Sequence, residues 1–133
     1  MSIFTEKALS EECKTSEQNF EYRIQRLLTN HGFLVINCAR SKPFDLIAIR
    51  NQIAVPLELK GKNTLYSEEQ KLYQKDLANR TRTNFLVIKQ GKKRGEMIIE
   101  ECYAFYYDAN ILWHKMKREV IDVLGEKNVR TRV

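Results

Sequence analysis

The chain is poor in the residues that cross-link or interrupt a fold. Its 133 residues include three cysteines, two prolines and five glycines. Cys13, Cys38 and Cys102 are odd in number and lack the paired spacing of a zinc site, so we expect reduced thiols in a cytoplasmic protein. A zinc site that adds His31 and His114 is a weaker alternative, because no Cys-x-x-Cys or His-x-x-x-His pair anchors it.

Long apolar runs are also missing from the sequence. A membrane-spanning helix needs roughly 18 apolar residues in a row, and Glu6, Glu11 and Glu12 interrupt the stretch in which a signal peptide would lie. No basic amphipathic helix has a clean apolar face, so a membrane partner is not expected. Because no linker or repeat divides the chain, we expect a single domain over 1–133, with an N-terminal arm over 1–14 and a mobile basic tail over 126–133.

Positive charge is what the chain has in excess. Lysine and arginine number 23 against 17 acidic residues, a net charge of +6, and this excess favours a polyanionic partner such as nucleic acid. No element resembles a helix-turn-helix or a zinc finger, so shape is a more natural cue than base sequence. An ordinary solvated position is the alternative for each basic side chain that we expect to contact phosphates. These are Lys62, Lys71, Lys75, Arg80, Arg82, Lys92, Lys93 and Arg94.

Apolar periodicity and capping signals predict the order helix, three strands, helix, two strands, helix. This order indicates an α/β domain in which helices flank a mixed sheet of about five strands. On the second helix we expect Leu72, Tyr73 and Leu77, with Tyr66 before it, to form the buried side. The predicted helices cover 15–30, 67–80 and 109–124, and the predicted strands cover 33–38, 44–49, 53–60, 84–89 and 96–107.

Two acidic residues face each other in the predicted hairpin. A two-residue turn at 51–52 would place Asp45 opposite Glu58, where like charges repel. A divalent cation between the carboxylates would remove that repulsion, since hard cations prefer carboxylate oxygens. Lys60 lies two residues after Glu58 and therefore on the same face of its strand. Two acids and a lysine on one face are typical of metal-assisted attack on a phosphodiester.

An edge strand offers an alternative to this site. There, Glu58 and Lys60 would form a solvated ion pair, and Pro56 could shift the register on which the pairing with Asp45 depends.

A third acid stands on the first helix. Glu21 lies along the apolar stripe that contains Ile24 and Leu28, and a carboxylate at a core margin is unfavourable unless it is paired or binds a metal. The alternative is that Glu21 bends outward to Arg23 or Gln25.

Taken together, these residues resemble the PD-(D/E)XK nuclease superfamily and, within it, the archaeal-type Holliday junction resolvases. The resemblance spans roughly residues 16–90, and the intervals from Gly32 to Asp45 and from Asp45 to Glu58 are both thirteen residues, as in those resolvases. It is carried by the helix 21–33 with its acid before Gly-Phe, the Ser41-Lys-Pro-Phe-Asp45 segment, the Glu58-Leu-Lys60 motif and the Leu65-Tyr66 pair.

The chain departs from this family in several places. Ser67-x-x-Gln70 also resembles the stand-alone VRR-type nucleases. The Gln-x-x-x-Tyr motif of RecB-like exonucleases is not matched, because Gln70 and Tyr73 are one residue too close. The basic residues do not align one for one with those that grip junction arms, and the likeness fades beyond residue 90.

The resemblance implies a restriction-endonuclease-like core and a metal-dependent endonuclease. Asp45, Glu58, the carbonyl of Leu59 and Glu21 would bind Mg²⁺, with Mn²⁺ as a substitute ion. Lys60 would orient the attacking water or stabilise the transition state, Ser41 would bind the phosphate, and Gln70 would help to place the DNA backbone.

A resolvase would also be a homodimer, because it cuts two strands placed symmetrically about a four-way DNA junction. The segments 103–107 and 109–124, the latter with Trp113 and Met116, are aromatic enough to form the interface, and they fit the core equally well.

Three other functions remain open at this point. One is a sequence-specific endonuclease of the same fold, of the restriction or homing type, although the chain has little spare length for base readout. Another is an RNA endonuclease. The third is a non-catalytic DNA-binding module, against which the repelling carboxylates argue.

Overall fold

The computed structural model describes residues 16–38, 40, 42–102, 111–125 and 129–132, with the backbone alone described for 16–18, 101–102 and 129–132. The fold is α/β, as predicted, and consists of three helices and six strands in this part of the chain. The expected arm at 1–14, Ser41 and the segment 103–107 lie outside it. In chain order the elements are α1 (Ser16–Asn30), β1 (Leu34–Asn37), β2 (Leu46–Arg50), β3 (Ile53–Lys60), α2 (Glu68–Thr81), β4 (Phe85–Gln90), β5 (Met97–Cys102), α3 (Ile111–Val123) and β6 (Val129–Arg132).

The six strands form one mixed sheet in the order β1-β2-β3-β4-β5-β6. The pairs β3–β4 and β5–β6 are parallel, and the other pairs are antiparallel. The sixth strand lies in the segment that we expected to be a mobile basic tail, and there the prediction is wrong. Val129 and Thr131 supply β-branched residues, and the edge of β5 supplies a pairing partner that composition alone does not reveal.

The β2–β3 hairpin has the predicted register. Arg50 pairs with Ile53, and Asn51 and Gln52 both have positive φ angles, of 53° and 68°, as a type I′ turn requires. Hydrogen-bonded pairs alternate outward from this turn, so Pro56 falls at a non-hydrogen-bonded pair with β2 and removes no bond from that ladder. Because β3 also pairs with β4 on its other side, it is a central strand rather than an edge.

Two helix boundaries follow the sequence signals. Gly32 has a φ of 87°, and Phe33 N–H donates to Leu28 O at 3.0 Å, which ends α1 as predicted. At the start of α2, Ser67 Oγ accepts a hydrogen bond from the backbone N–H of Gln70 at 3.1 Å.

The sheet separates two apolar layers. On one face, α1 and α3 pack onto the sheet through the larger core, to which Leu57 and Leu59 of β3 belong. Trp113 and Met116 are buried in this core. Of the two roles that the sequence left open for them, the dimer interface and the core, the structure shows the core. On the other face, α2 packs through Ala78 onto a smaller cluster. None of the helices in the described ranges is long and apolar enough to span a membrane.

Candidate active site

Strand alternation directs the acids of the hairpin to the face that α2 covers. Leu57 and Leu59 point into the larger core, so Glu58 and Lys60 point to the opposite face. Both are buried, with 1% and 8% of their surface exposed. The prediction of a solvated Glu58–Lys60 pair on an edge strand is therefore wrong.

Asp45 stands directly before β2, one residue beyond the last pair of the β2–β3 ladder, Leu46 with Leu57. Its N–H donates to Leu57 O at 3.1 Å, and its Oδ2 accepts from the backbone N–H of Leu59 at 2.7 Å. The Asp45 carboxylate is thus held against β3 and is 8% exposed. Burial is the main cause that raises the pKa of the Cys38 thiol, and the charge of Asp45 raises it further against a lowering hydrogen bond from the Phe44 backbone.

The pKa of Glu58 is raised above its usual range. Burial is the largest cause, because it removes the carboxylate from water, and the negative charge of Asp45 adds to it. Hydrogen bonds from Gln74 and Lys60, and the positive charge of Lys60, act in the opposite direction. A divalent cation bound to both carboxylates would relieve the remaining repulsion, because such cations prefer carboxylate oxygens.

Lys60 is the positive charge of the site. Its Nζ lies 3.1 Å from Glu58 Oε2 and donates to Gln70 Oε1 at 2.8 Å. The ammonium group of Lys60 therefore contacts the Glu58 carboxylate directly and is held in place by the neutral side chain of Gln70 on α2.

Two glutamines of α2 complete the surroundings of Glu58. Gln70 Nε2 donates to Glu58 Oε2 at 2.8 Å, and Gln74 Nε2 donates to Glu58 Oε1 at 2.9 Å. Gln74 Nε2 also donates to Pro43 O at 3.0 Å, and its Oε1 accepts from the hydroxyl of Tyr66. Gln74 is fully buried and spans the segments that carry both acids.

The inner face of α2 is only partly the predicted one. Leu77 and Tyr66 pack against the smaller cluster, as expected, whereas the burial of Gln74 was not predicted. Leu72 and Tyr73, expected to be buried, are 67% and 52% exposed, whereas Gln74 and Ala78 are buried. The helix α2 covers Glu58 and Lys60 as well as the smaller apolar cluster, so part of its inner face is polar. The four-residue interval between Gln70 and Gln74 was the available signal, because it places both on one side of a helix.

Glu21 is not gathered with the other acids. It is half-buried on α1, whose core residues pack on the face of the sheet opposite Glu58. Within the residues described, no group of three or more His, Cys, Asp or Glu side chains is placed to hold a metal. The structure thus brings together Asp45, Glu58, Lys60 and Gln70, while Ser41 falls outside the described part.

The predicted phosphate-binding residues are spread over several elements. Lys62 is exposed after β3, and Lys75 and Arg80 are exposed on α2, where Arg80 pairs with Asp76 at 3.0 Å. Arg82 ends α2 with a φ of 54°. The turn of Lys92, Lys93 and Arg94 is exposed.

A cleft of about 190 Å³ opens beside the acids. Lys71, which we expected to contact phosphate, forms part of its wall. Other residues of the described chain that line it include Lys60, Thr64, Tyr66, Lys89 and Glu100.

No protein-family model matches the chain, and no curated protein sequence matches it. Among solved structures, it is similar to Hjc, a Holliday junction resolvase from the archaeal hyperthermophile Archaeoglobus fulgidus, with a TM-score of 0.50 and 19% identity. The similarity covers 64% of this chain and 71% of Hjc. At this identity the comparison establishes a shared fold, a mixed sheet flanked by helices.

Proposed function

We propose that the chain is a metal-dependent, structure-selective DNA endonuclease of the PD-(D/E)XK type that resolves four-way junctions. The observation that carries this proposal is the buried pair of Asp45 and Glu58 with Lys60 in contact with Glu58. Burying two neighbouring carboxylates costs free energy, and a bound cation would offset this cost. The shared fold with a junction resolvase supports the choice of substrate.

Asp45 and Glu58 would hold Mg²⁺ or Mn²⁺, with the carbonyl of Leu59 as a further ligand. When bound, the ion would polarise the scissile phosphate and lower the pKa of a coordinated water. Glu21 lies on α1 at the other face of the sheet and is not gathered with the pair, so we assign it no contact with the metal.

The protein's own groups would orient the reaction. The N–H of Leu59 donates to Asp45 Oδ2 and so holds this carboxylate against β3. Lys60, held by Gln70, would stabilise the negative charge that builds on the phosphate in the transition state. Ser41 would bind the phosphate beside the cut.

Junction resolution further requires a homodimer with two sites. The fold leaves Ile111 and Leu112 of α3 exposed, at 77% and 65%, and these are the apolar side chains on that helix that remain available to a second copy.

The test uses Mg²⁺ and equimolar labelled four-way junction, linear duplex, single-stranded DNA and RNA. Asp45→Asn should abolish cleavage and retain binding, and Lys60→Ala should abolish cleavage. The control Asp122→Asn, at an exposed position of α3, should cleave as the wild type does. Paired symmetrical nicks on the junction alone would support the resolvase proposal. Cleavage of duplex or RNA instead would reassign the substrate, and full activity of Asp45→Asn would refute the site.

A further inference from the structure

Two lysines of the cleft are direct neighbours in the sheet. Lys60 pairs with Lys89 on the parallel strand β4, so their side chains leave the sheet on the same face, where like charges repel. Glu58 balances Lys60 at 3.1 Å. The charge of Lys89 extends the positive surface away from the acids and into the cleft that both lysines line.

Tyr66 joins a third lysine to this pair. Lys60 Nζ and Lys71 Nζ each lie 5.3 Å from the centre of its ring, within the range of a cation–π contact. The Tyr66 hydroxyl donates to Gln74 Oε1, and the Nε2 of the same glutamine donates to Glu58. Tyr66 therefore contacts the residues of the candidate active site and also lines the cleft.

From this arrangement we infer that the cleft is a subsite for a second backbone phosphate of the substrate strand, next to the one that is cut. Lys60, Lys71 and Lys89 line the cleft together with one carboxylate, Glu100. Lys60 is paired with Glu58, and Lys71 is paired with Glu68 at 3.4 Å, so Lys89 is the lysine that we expect to supply the positive charge for an anion in the cleft. This inference rests on the proposed function, since it places the phosphate relative to Asp45 and Glu58. It adds Lys89 to the substrate-binding residues.

Lys89 and Glu100 give predictions of opposite sign. Lys89→Gln should weaken binding of a fluorescent four-way junction by roughly three- to tenfold and reduce the slope of log affinity against log salt by about one, as loss of one phosphate contact requires. Glu100→Gln should tighten binding by roughly two- to fivefold, because it removes a negative charge beside the phosphate. The control is Lys115→Gln, an exposed lysine on α3, which should leave both quantities unchanged.

Binding is measured by anisotropy in EDTA, so the result does not depend on cleavage, and equal urea midpoints verify that each variant is folded. Lys89→Gln behaving as Lys115→Gln does, or Glu100→Gln weakening binding, would overturn the subsite while leaving the nuclease proposal intact. A wild-type protein without affinity for the junction would overturn both. A wild-type protein that binds and does not cleave would overturn the nuclease proposal and, with it, the position of the subsite beside a cut phosphate.

Discussion

Gln74 Nε2 lies 2.9 Å from Glu58 Oε1 and 3.0 Å from Pro43 O, so one buried amide connects the segments that carry both acids of the site. Its Oε1 accepts from Tyr66. With both sides of the amide engaged, Gln74 can adopt only one orientation, and Glu58 receives a neutral donor rather than a second cation.

We first predict that Gln74→Leu destabilises the protein by about 1–3 kcal/mol, because it removes the hydrogen-bond donor to the buried Glu58 Oε1 and the acceptor of the Tyr66 hydroxyl. The free energy of unfolding in urea measures this change. The Mg²⁺ concentration for half-maximal cleavage should also rise, since Glu58 is no longer oriented. Leu72→Ala, at an exposed position of the same helix, is the control, and equal unfolding free energies for the two variants would contradict the role of Gln74.

The second prediction concerns pH. The pKa of Glu58 is raised in the folded state, chiefly by burial, so between its unfolded and folded pKa values the folded state binds more protons than the unfolded one. This part of the stability is present below the unfolded pKa and is lost as pH rises through the folded pKa. In EDTA, the wild type should lose unfolding free energy over this range relative to Glu58→Gln. Parallel pH profiles for the two proteins would contradict the shift.

Metal binding gives the third prediction. Mg²⁺ that binds only the folded state should stabilise the wild type, by about 2.7 kcal/mol at one hundred times its Kd. Asp45→Asn should lose this gain, because the buried pair no longer offers two carboxylates. Thermal unfolding with and without MgCl₂, at matched ionic strength, measures the effect. Asp122→Asn should respond as the wild type does, and a metal response retained in Asp45→Asn would move the site elsewhere.

The sequence predicts the hairpin well because its information is local. The turn at 51–52 sets the register as far as the pair of Leu46 with Leu57, and this brings the following Glu58 and Lys60 close to Asp45. The inner face of α2 could not be obtained in the same way. An apolar stripe is the signal that sequence patterns supply, whereas Gln74 is buried because its partners lie on other elements.

Long-range contacts limited the other predictions too. The strand β6 forms by pairing with the edge of β5, and α3 separates these two strands in the chain. The neighbouring lysines, Lys60 and Lys89, become neighbours only through the parallel pairing of β3 with β4. Two strands separated by a helix have no turn from which their register can be counted.

The last prediction concerns the contacts by which Arg50 connects the hairpin to the two helices on the other face of the sheet. Arg50 donates to His31 O at 2.7 Å, lies 4.0 Å from the Phe33 ring centre and pairs with Glu119 at 3.2 Å, and so ties β2 to the end of α1 and to α3. Arg50→Lys should destabilise the protein by about 1–2 kcal/mol, since an ammonium lacks the planar fork that makes these contacts together.

Glu119→Gln should lose less than about 1 kcal/mol, because the ion pair is partly exposed and weakened by solvent. Urea unfolding separates the two variants, and cleavage by the folded fraction should remain that of the wild type in both. A loss in Glu119→Gln as large as that in Arg50→Lys would show that the ion pair, rather than the carbonyl and ring contacts, stabilises this junction of elements.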